Sequence, residues 1–270
     1  MNRRAARLGC RRRTVLGLAL VAGLPRAAAQ ELREFMLVAF AEPVAGQEAE
    51  FNRWYDREHL PAMLAVPGMR SAERWQAAKA DTPESRLPRE VATYHAFGAD
   101  WPAIDAGIRA RYAEGLLRPS RAFDTATVVS LVYEPLGGAL GADEVAGSTP
   151  APRSADGAEI RHYAMFVAID AVPGREAEFN RWYDEQHLPD VLRIPGFRSA
   201  RRYRLIDARQ PPCRSAQPMP KYLAWFEFDS TNLAGTIAEL KRRVHSGITR
   251  MSDTLARGGQ VYYLLPRQSS

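Results

Sequence analysis

Apolar positions along this chain fall into two alternating spacings, and the same succession of spacings occurs twice. Phe35 to Ala41 is apolar at every position, which predicts a strand buried on both faces. Gln47 to Leu60 has the spacing of a helix. Pro61 predicts a break or restart there, because the residue before a proline is disfavoured in the α region. Ala62 to Val66 reads as a turn closed by Pro67-Gly68, and Met69 to Gln76 as a strand. Lys79 to Arg89, polar and carrying prolines, reads as a loop. Val91 to Phe97 predicts a strand, Trp101 to Leu117 a helix and Thr125 to Tyr133 a strand. The order is β-α-β-β-α-β, the split βαβ unit of ferredoxin-like domains. Gly137 to Gly157 is rich in Gly, Ala, Ser and Pro without a period, which predicts a flexible linker. The order then returns: strand Tyr163–Ile169, helix Arg175–Leu188, strand Phe197–Leu205, loop Asp207–Pro220, strand Tyr222–Phe228, helix Leu233–His245, strand Val261–Leu265.

The repetition extends to the residues. Phe51-Asn52-Arg53-Trp54-Tyr55-Asp56 followed by His59-Leu60-Pro61 returns as Phe179-Asn180-Arg181-Trp182-Tyr183-Asp184 followed by His187-Leu188-Pro189. Pro67-Gly68 and Arg70-Ser71-Ala72 return, without a gap, as Pro195-Gly196 and Arg198-Ser199-Ala200. About two-thirds of the positions from Phe51 to Trp75 are identical in the second copy. A period above 100 residues is a domain length, so the chain reads as a tandem duplication. The boundaries expected are 30–136 for the first repeat, 137–158 for the linker and 159–267 for the second repeat.

A ferredoxin-like unit covers one sheet face with its two helices. The strands here are apolar on both faces: Phe35, Leu37 and Ala39 on one, Met36, Val38 and Phe40 on the other. The second face needs another layer, and the other repeat's sheet supplies it. The fold class expected is therefore α+β, with two tandem ferredoxin-like repeats pairing their sheets face to face and helices outside.

The helix ending Arg-Trp-Tyr-Asp-x-x-His-Leu-Pro, then Ile/Val-Pro-Gly-Phe/Met-Arg-Ser-Ala, resembles the dimeric α/β-barrel superfamily and, within it, EthD-like proteins. The resemblance covers both repeats and implies an intramolecular barrel, a pseudo-dimer made by one chain. It further implies a ligand pocket between helices and sheet in each half, with a mostly packed barrel interior. Superfamily members include cofactor-free oxygenases, polyketide cyclases, muconolactone isomerase and haem-binding enzymes, so fold analogy does not choose a reaction. The EthD-like pattern continues Leu-Pro-Asp. The second copy has it at Asp190, while the first has Ala62.

Charge changes the picture once the N-terminus is set aside. Arg11-Arg12-Arg13-Thr14-Val15-Leu16 resembles a twin-arginine export motif, and Val15 to Leu24 is too short to span a bilayer as a helix. Ala27-Ala28-Ala29 predicts cleavage after Ala29, so residues 1–29 are read as a signal peptide and the mature protein as periplasmic. Of the 37 Lys and Arg residues, seven lie in residues 1–29 with no acid beside them. The remainder holds 30 basic against 31 acidic side chains, so the formal +6 becomes about −1. No basic excess is left for nucleic acid, nor for a membrane surface after cleavage. Cys10 leaves with the signal, and Cys213 then has no partner for an internal disulfide.

The candidate chemistry sits at the end of the repeated helix. At about 100° per residue, Trp54, Tyr55 and His59 share an arc, with Asp56 beside it. The second copy repeats this with Trp182, Tyr183, His187 and Asp184. Asp56 and Asp184 are expected to orient the imidazoles of His59 and His187 as general acid or base toward a carbonyl or hydroxyl compound. By the resemblance, Trp54, Tyr55, Trp182, Tyr183 and Asp190 would contact a small apolar or aromatic ligand. The same histidines also suit a purely structural role at a helix end. No metal and no cofactor are expected: Asp184, His187 and Asp190 are separated by a proline, and no phosphate loop or dinucleotide fingerprint is present. Three functions stay open: a cofactor-free lyase or isomerase, a non-catalytic periplasmic binding module, and a haem-binding relative.

Overall fold

The computed structural model describes residues 31–80, 87–149, 158–209 and 219–267. The export segment, its cleavage point and Cys213 lie outside the described residues. Strand β1 (Arg33–Pro43) leads into helix α1 (Glu48–Trp54), a π turn (Tyr55–His59) and helix α2 (Leu60–Leu64). Strands β2 (Met69–Ala80) and β3 (Glu90–Gly98), helix α3 (Trp101–Ala113) and strand β4 (Phe123–Pro135) follow. After the short strand β5 (Leu140–Gly141) the order repeats: β6 (Arg161–Ile169), α4 (Glu176–Trp182), a π turn (Tyr183–His187) and α5 (Leu188–Leu192). Strands β7 (Phe197–Arg209) and β8 (Tyr222–Ser230), helix α6 (Leu233–His245) and strand β9 (Gln260–Pro266) complete it.

The repeated helix does not break at its proline, as the sequence suggested. Leu60 keeps helical angles, and its N–H reaches back five residues to the Tyr55 carbonyl; Leu188 does the same to Tyr183. A proline ring normally collides with the carbonyl four residues earlier. Widening that turn to i→i−5 moves the carbonyl aside, so the helix passes through Pro61 and Pro189 with one π turn ahead of each. Gly68 then turns the chain at φ 96°, where a Cβ would lie 2.7 Å from the Phe97 carbonyl oxygen. Gly196 takes the same left-handed angle in the second repeat. Caps set the other helices: Asp100 accepts the Ala103 N–H at 2.9 Å and Asn232 the Gly235 N–H at 3.1 Å.

The strands form one sheet in the order β4-β1-β3-β2-β9-β6-β8-β7-β5, and β4 also pairs with β7. The two sheets expected face to face are hydrogen-bonded along two edges, at β2–β9 and at β4–β7, which closes them into one barrel. An open edge leaves a row of backbone donors and acceptors unpaired, and closure satisfies them. Ion pairs tie the same junctions. Arg267 grips Glu90 at 2.5 and 2.6 Å, Arg201 grips Glu34 at 2.7 and 2.8 Å, and Glu134 takes both Arg33 and Arg204.

Three apolar clusters result. One lies under α1–α3 and includes Phe35, Leu37, Phe51 and Tyr94. A second lies under α4–α6 and includes Met165, Phe179, Phe226 and Tyr263. The third fills the inside of the closed sheet, with Met36, Val38 and Phe40 meeting Phe166, Trp225 and Tyr262. Phe40 and Phe166 stand edge to face at 5.6 Å, and Trp75 meets Trp225 the same way at 5.4 Å. The two-faced strands thus bury one face under helices and the other inside the barrel.

Part of the stretch read as a linker is built into this fold. Leu140 and Gly141 pair with Ala200 and Ser199, and Val145 is buried against the second cluster. A low-period sequence hid this because the segment is held by backbone bonds and by Leu140, Ala142 and Val145, which do not form a repeating face. Among the described residues, no helix is long and apolar enough to cross a membrane.

Candidate functional site

The π turn sets the geometry at the repeated histidine. His59 lies over Trp54 with ring centres 4.8 Å apart and meets Tyr55 edge to face at 4.8 Å. His187 repeats this on Trp182 at 4.7 Å and on Tyr183 at 4.9 Å. The indoles behind them are fixed by backbone: Trp54 Nε1 donates to the Arg118 carbonyl at 3.0 Å and Trp182 Nε1 to that of Arg250 at 3.2 Å. Burial, with the Arg74 guanidinium nearby, pushes His59 down to about 4; burial and Arg202 do the same to His187. Both rings are therefore neutral at neutral pH. His187 Nδ1 is buried and has no hydrogen-bond partner among the described residues.

Asp56 and Asp184 do not hold these imidazoles. Each is turned onto a buried arginine of the adjacent strand. Arg74 donates to Asp56 and to Asn52, both at 2.8 Å, and lies 4.4 Å from the centre of the Tyr55 ring. Arg202 donates to Asp184 at 2.9 Å and to Asn180 at 2.6 Å, 4.5 Å from the Tyr183 ring centre. A guanidinium fork can bridge an amide and a carboxylate one helical turn apart and stack on an aromatic face at once, which explains why the aspartates prefer it to a ring. Asp190 likewise pairs with Arg193 at 2.8 Å. The acid of the Leu-Pro-Asp pattern is taken up locally, and the two arginines are functional-looking positions that the helix wheel missed. Their signal was in the repeat, since Arg74 and Arg202 occupy the same place in both copies.

These pKa directions carry a pH prediction. Unfolded, the histidines titrate near the ordinary imidazole value of 6.5, and folded they stay neutral to about 4. The unfolded state binds more protons in between, so stability falls as pH drops from 6.5 to 4 and levels off below. The loss is on the order of 3 kcal/mol per ring at most, reduced by the part of each ring that remains exposed. Urea unfolding at pH 7.0 and 4.5, wild type against a His59→Gln/His187→Gln double variant, should show a smaller acid loss in the variant. Equal losses would mean that the rings are not neutral in the fold.

The two histidines differ in what they face. A cavity of about 180 Å³ lies between the helices and the sheet of the first repeat, bordered by Leu37, Ala39, Ala41, Tyr55, His59 and Tyr94. Trp101, Ile108, Phe123 and Val132 complete its apolar wall, while Asp105 and, from β7 of the second repeat, Asp207 and Arg209 also border it. Arg209 donates to Asp105 at 2.7 Å, so one repeat closes part of the other's cavity. Sequence reading put Asp207 and Arg209 in a loop; they stand at the end of β7, brought here by the β4–β7 pairing. Inside, the Tyr55 and Tyr94 hydroxyls are hydrogen-bonded to each other at 3.1 Å. Burial raises both, Tyr55 to about 12 and Tyr94 well above 10, so both are protonated. Trp54 does not border this cavity; it lies behind His59 and borders a second, outer pocket with His59, Ala62 and Leu117.

The site is a small, mostly apolar chamber with one neutral imidazole, one pair of protonated phenols and the Arg209–Asp105 ion pair on its border. Its volume is close to the ~150 Å³ that accommodates benzene in an engineered core cavity. A four-pyrrole macrocycle does not fit this chamber, so its residues do not suit haem. No group of three or more His, Cys, Asp or Glu side chains among the described residues could hold a metal ion.

No family model matches the sequence, and no curated protein does. Solved structures do match, at low identity. An anthrone oxidase-like protein superposes with a TM-score of 0.51 at 11% identity, over 87% of this chain and 92% of that one. A chlorite dismutase from Candidatus Nitrospira defluvii gives 0.49 at 11%, over 86% and 91%. A candidate monooxygenase from Fusobacterium nucleatum gives 0.47 at 11%, over 87% and 92%. At such identities the likeness speaks to fold alone: the chain has an α+β fold of the dimeric α/β-barrel type.

Proposed function

We propose that this protein binds one small, mostly apolar ring compound bearing a hydroxyl or carbonyl group, in the chamber beside His59. The observation that carries this reading is the chamber itself, a cavity of about 180 Å³ with a mostly apolar wall, His59, Tyr55 and Tyr94 on its border, and Ser130, Tyr112, Asp105, Asp207 and Arg209 as its further polar side chains. Few polar groups on an apolar wall are what orient a small ligand. The low pKa favours recognition over catalysis. A general base works best with a pKa near the working pH, and His59 held near 4 is too weak a base to take a proton readily. Proton transfer is the second reading, favoured by the same ring: a ligand developing negative charge would draw the His59 pKa back up. Exchange of the α-protons of cyclohexanone in deuterium oxide, lost in His59→Gln, would support it, and no exchange would remove it.

The architecture supports a wider proposal. The repeated motif, the repeated π turn and the β2–β9 and β4–β7 pairings fit two EthD-like repeats of one duplicated unit, standing for the two chains of a dimeric barrel. The twin-arginine-like segment supports export, with the mature chain starting at Gln30. An intact mass of the protein from a periplasmic fraction tests that, and a mass including residues 1–29 would contradict it.

Binding is tested by thermal unfolding with benzene as probe. At tenfold its Kd a ligand adds about 1.4 kcal/mol, or about 3–5 °C for a domain of this size. We expect that shift in the wild type and none in Val132→Tyr, which fills the chamber. The Tm of ligand-free Val132→Tyr reports whether that variant folds. No shift in the wild type would overturn the proposal.

A further inference from the structure

The two repeats can be compared position by position through their strand registers. Leu37 faces Tyr94 on β3 and Val132 on β4, while Met165 faces Phe226 on β8 and Tyr263 on β9. Two residues on, Ala39 pairs with Ser130, and Val167 with Val261. Ala41 corresponds in the same way to Ile169, and along the helices Asp105 corresponds to Ile237. At Ala39, Ala41, Asp105 and Ser130 the second repeat thus has a larger or an apolar residue. Val167, Ile169, Val261 and Tyr263 all belong to or pack against the second apolar cluster. The repeated histidine and tyrosine remain, but the space at Ala39 and Ala41 and the phenol at the Tyr94 position do not.

The phenol pair has an unfilled valence. Two hydroxyls carry two protons, and the bond between them uses one. Neither hydroxyl has a further hydrogen-bond partner among the described residues. Both residues border the chamber and both are more than nine-tenths buried. One buried O–H is thus left without an acceptor, a condition that folded proteins avoid unless something supplies one.

Resting on the binding reading above, we infer that the Tyr55–Tyr94 phenol pair sets the specificity of this chamber for a ring carrying an acceptor oxygen, and that the second repeat holds no second site. The ligand oxygen takes the spare phenolic proton of the Tyr55–Tyr94 pair. The second repeat contributes Arg209 and Asp207 to the border of the first chamber, and its own counterpart is occupied by side chains.

The test uses phenol and toluene, which differ little in size, titrated by calorimetry into the folded protein. We expect one site per chain and phenol bound about tenfold more tightly than toluene, the preference worth one neutral hydrogen bond made in place of an orphaned donor. Tyr55→Phe/Tyr94→Phe, which removes both phenolic protons, should keep toluene affinity within about twofold and bring the ratio close to one, whereas Tyr94→Phe alone leaves the Tyr55 O–H free and should keep the preference for phenol. A wild-type ratio near one, or a ratio unchanged by the double variant, would overturn the role of the phenol pair while leaving the binding site intact. Two sites per chain would overturn the one-sided assignment. Binding of neither compound would overturn the binding reading, and this inference with it.

Discussion

Replacing Arg74 with Ala should cost about 3–5 kcal/mol of stability, because it removes a buried guanidinium that binds Asp56, Asn52 and Glu90 and packs on the Tyr55 ring. The Arg74 side chain is 5% exposed, and the Asp56 and Glu90 carboxylates on it are 13% and 6% exposed. Glu90 keeps Arg267, while Asp56 and Asn52 lose the guanidinium fork that ties their helix to β2. Arg202→Ala should cost less, about 2 kcal/mol, since Asp184 is 52% exposed and can return to water. Lysine should rescue neither fully: an ammonium cannot bridge the Asn and Asp acceptors and also lie flat on the Tyr55 or Tyr183 ring. Urea unfolding of the four variants measures this. Equal losses in the two repeats, or losses below about 1 kcal/mol as for surface pairs, would show that these arginines are ordinary ion pairs and do not anchor the π turns.

The second large effect is expected inside the barrel. Phe166 is fully buried and meets Phe40 at 5.6 Å, Tyr262 at 5.8 Å and Tyr133 at 6.4 Å, side chains drawn from both repeats. Phe166→Ala should cost about 3–5 kcal/mol, the range for truncating a buried aromatic. The form of the transition matters as much as its position. If both repeats share the inner cluster, the variant should still unfold in one step, with fluorescence and far-UV circular dichroism coincident. Two separated steps would mean that the repeats are independent domains and that the inner cluster does not bind them.

Much of the architecture was legible in the sequence because burial leaves a mark on pattern. The continuous apolar run at Phe35–Ala41 called for cover on both faces, and both covers are present. The repeat of Trp-Tyr-Asp-x-x-His-Leu-Pro placed the histidines on their aromatic neighbours correctly, since helical spacing survives a single π turn. Three things were not legible. Pro61 and Pro189 looked like helix breaks because the local rule about proline says nothing of a preceding turn that can widen. Asp56 and Asp184 looked like partners of the histidines because a helix wheel shows only one element, and the competing Arg74 and Arg202 come from the neighbouring strand. Asp207 and Arg209 looked like loop residues because only the β4–β7 junction, a contact between distant segments, carries them to the chamber.

The candidate site illustrates the same limit from the other side. The signature read from sequence was the part that is duplicated, and the Leu-Pro-Asp pattern pointed toward the second copy. The chamber lies in the first. What separates the two is the part that is not duplicated: Ala39, Ala41, Ser130 and Val132 against Val167, Ile169, Val261 and Tyr263. Small residues in strands carry little local signal, and their meaning appears only when the registers show that they stand side by side. The histidine is common to both copies and so does not distinguish them, whereas Tyr94 and its small neighbours on the strands are found in the first copy alone.

The measurement that tests this account most directly is a crystal structure of the protein grown with phenol. The account predicts one ring in the chamber between His59 and Tyr94, its oxygen within hydrogen-bond distance of the Tyr55–Tyr94 pair, with Val167, Ile169 and Tyr263 still filling the second repeat. A chamber holding only solvent, or a ring seated against His187, would contradict it.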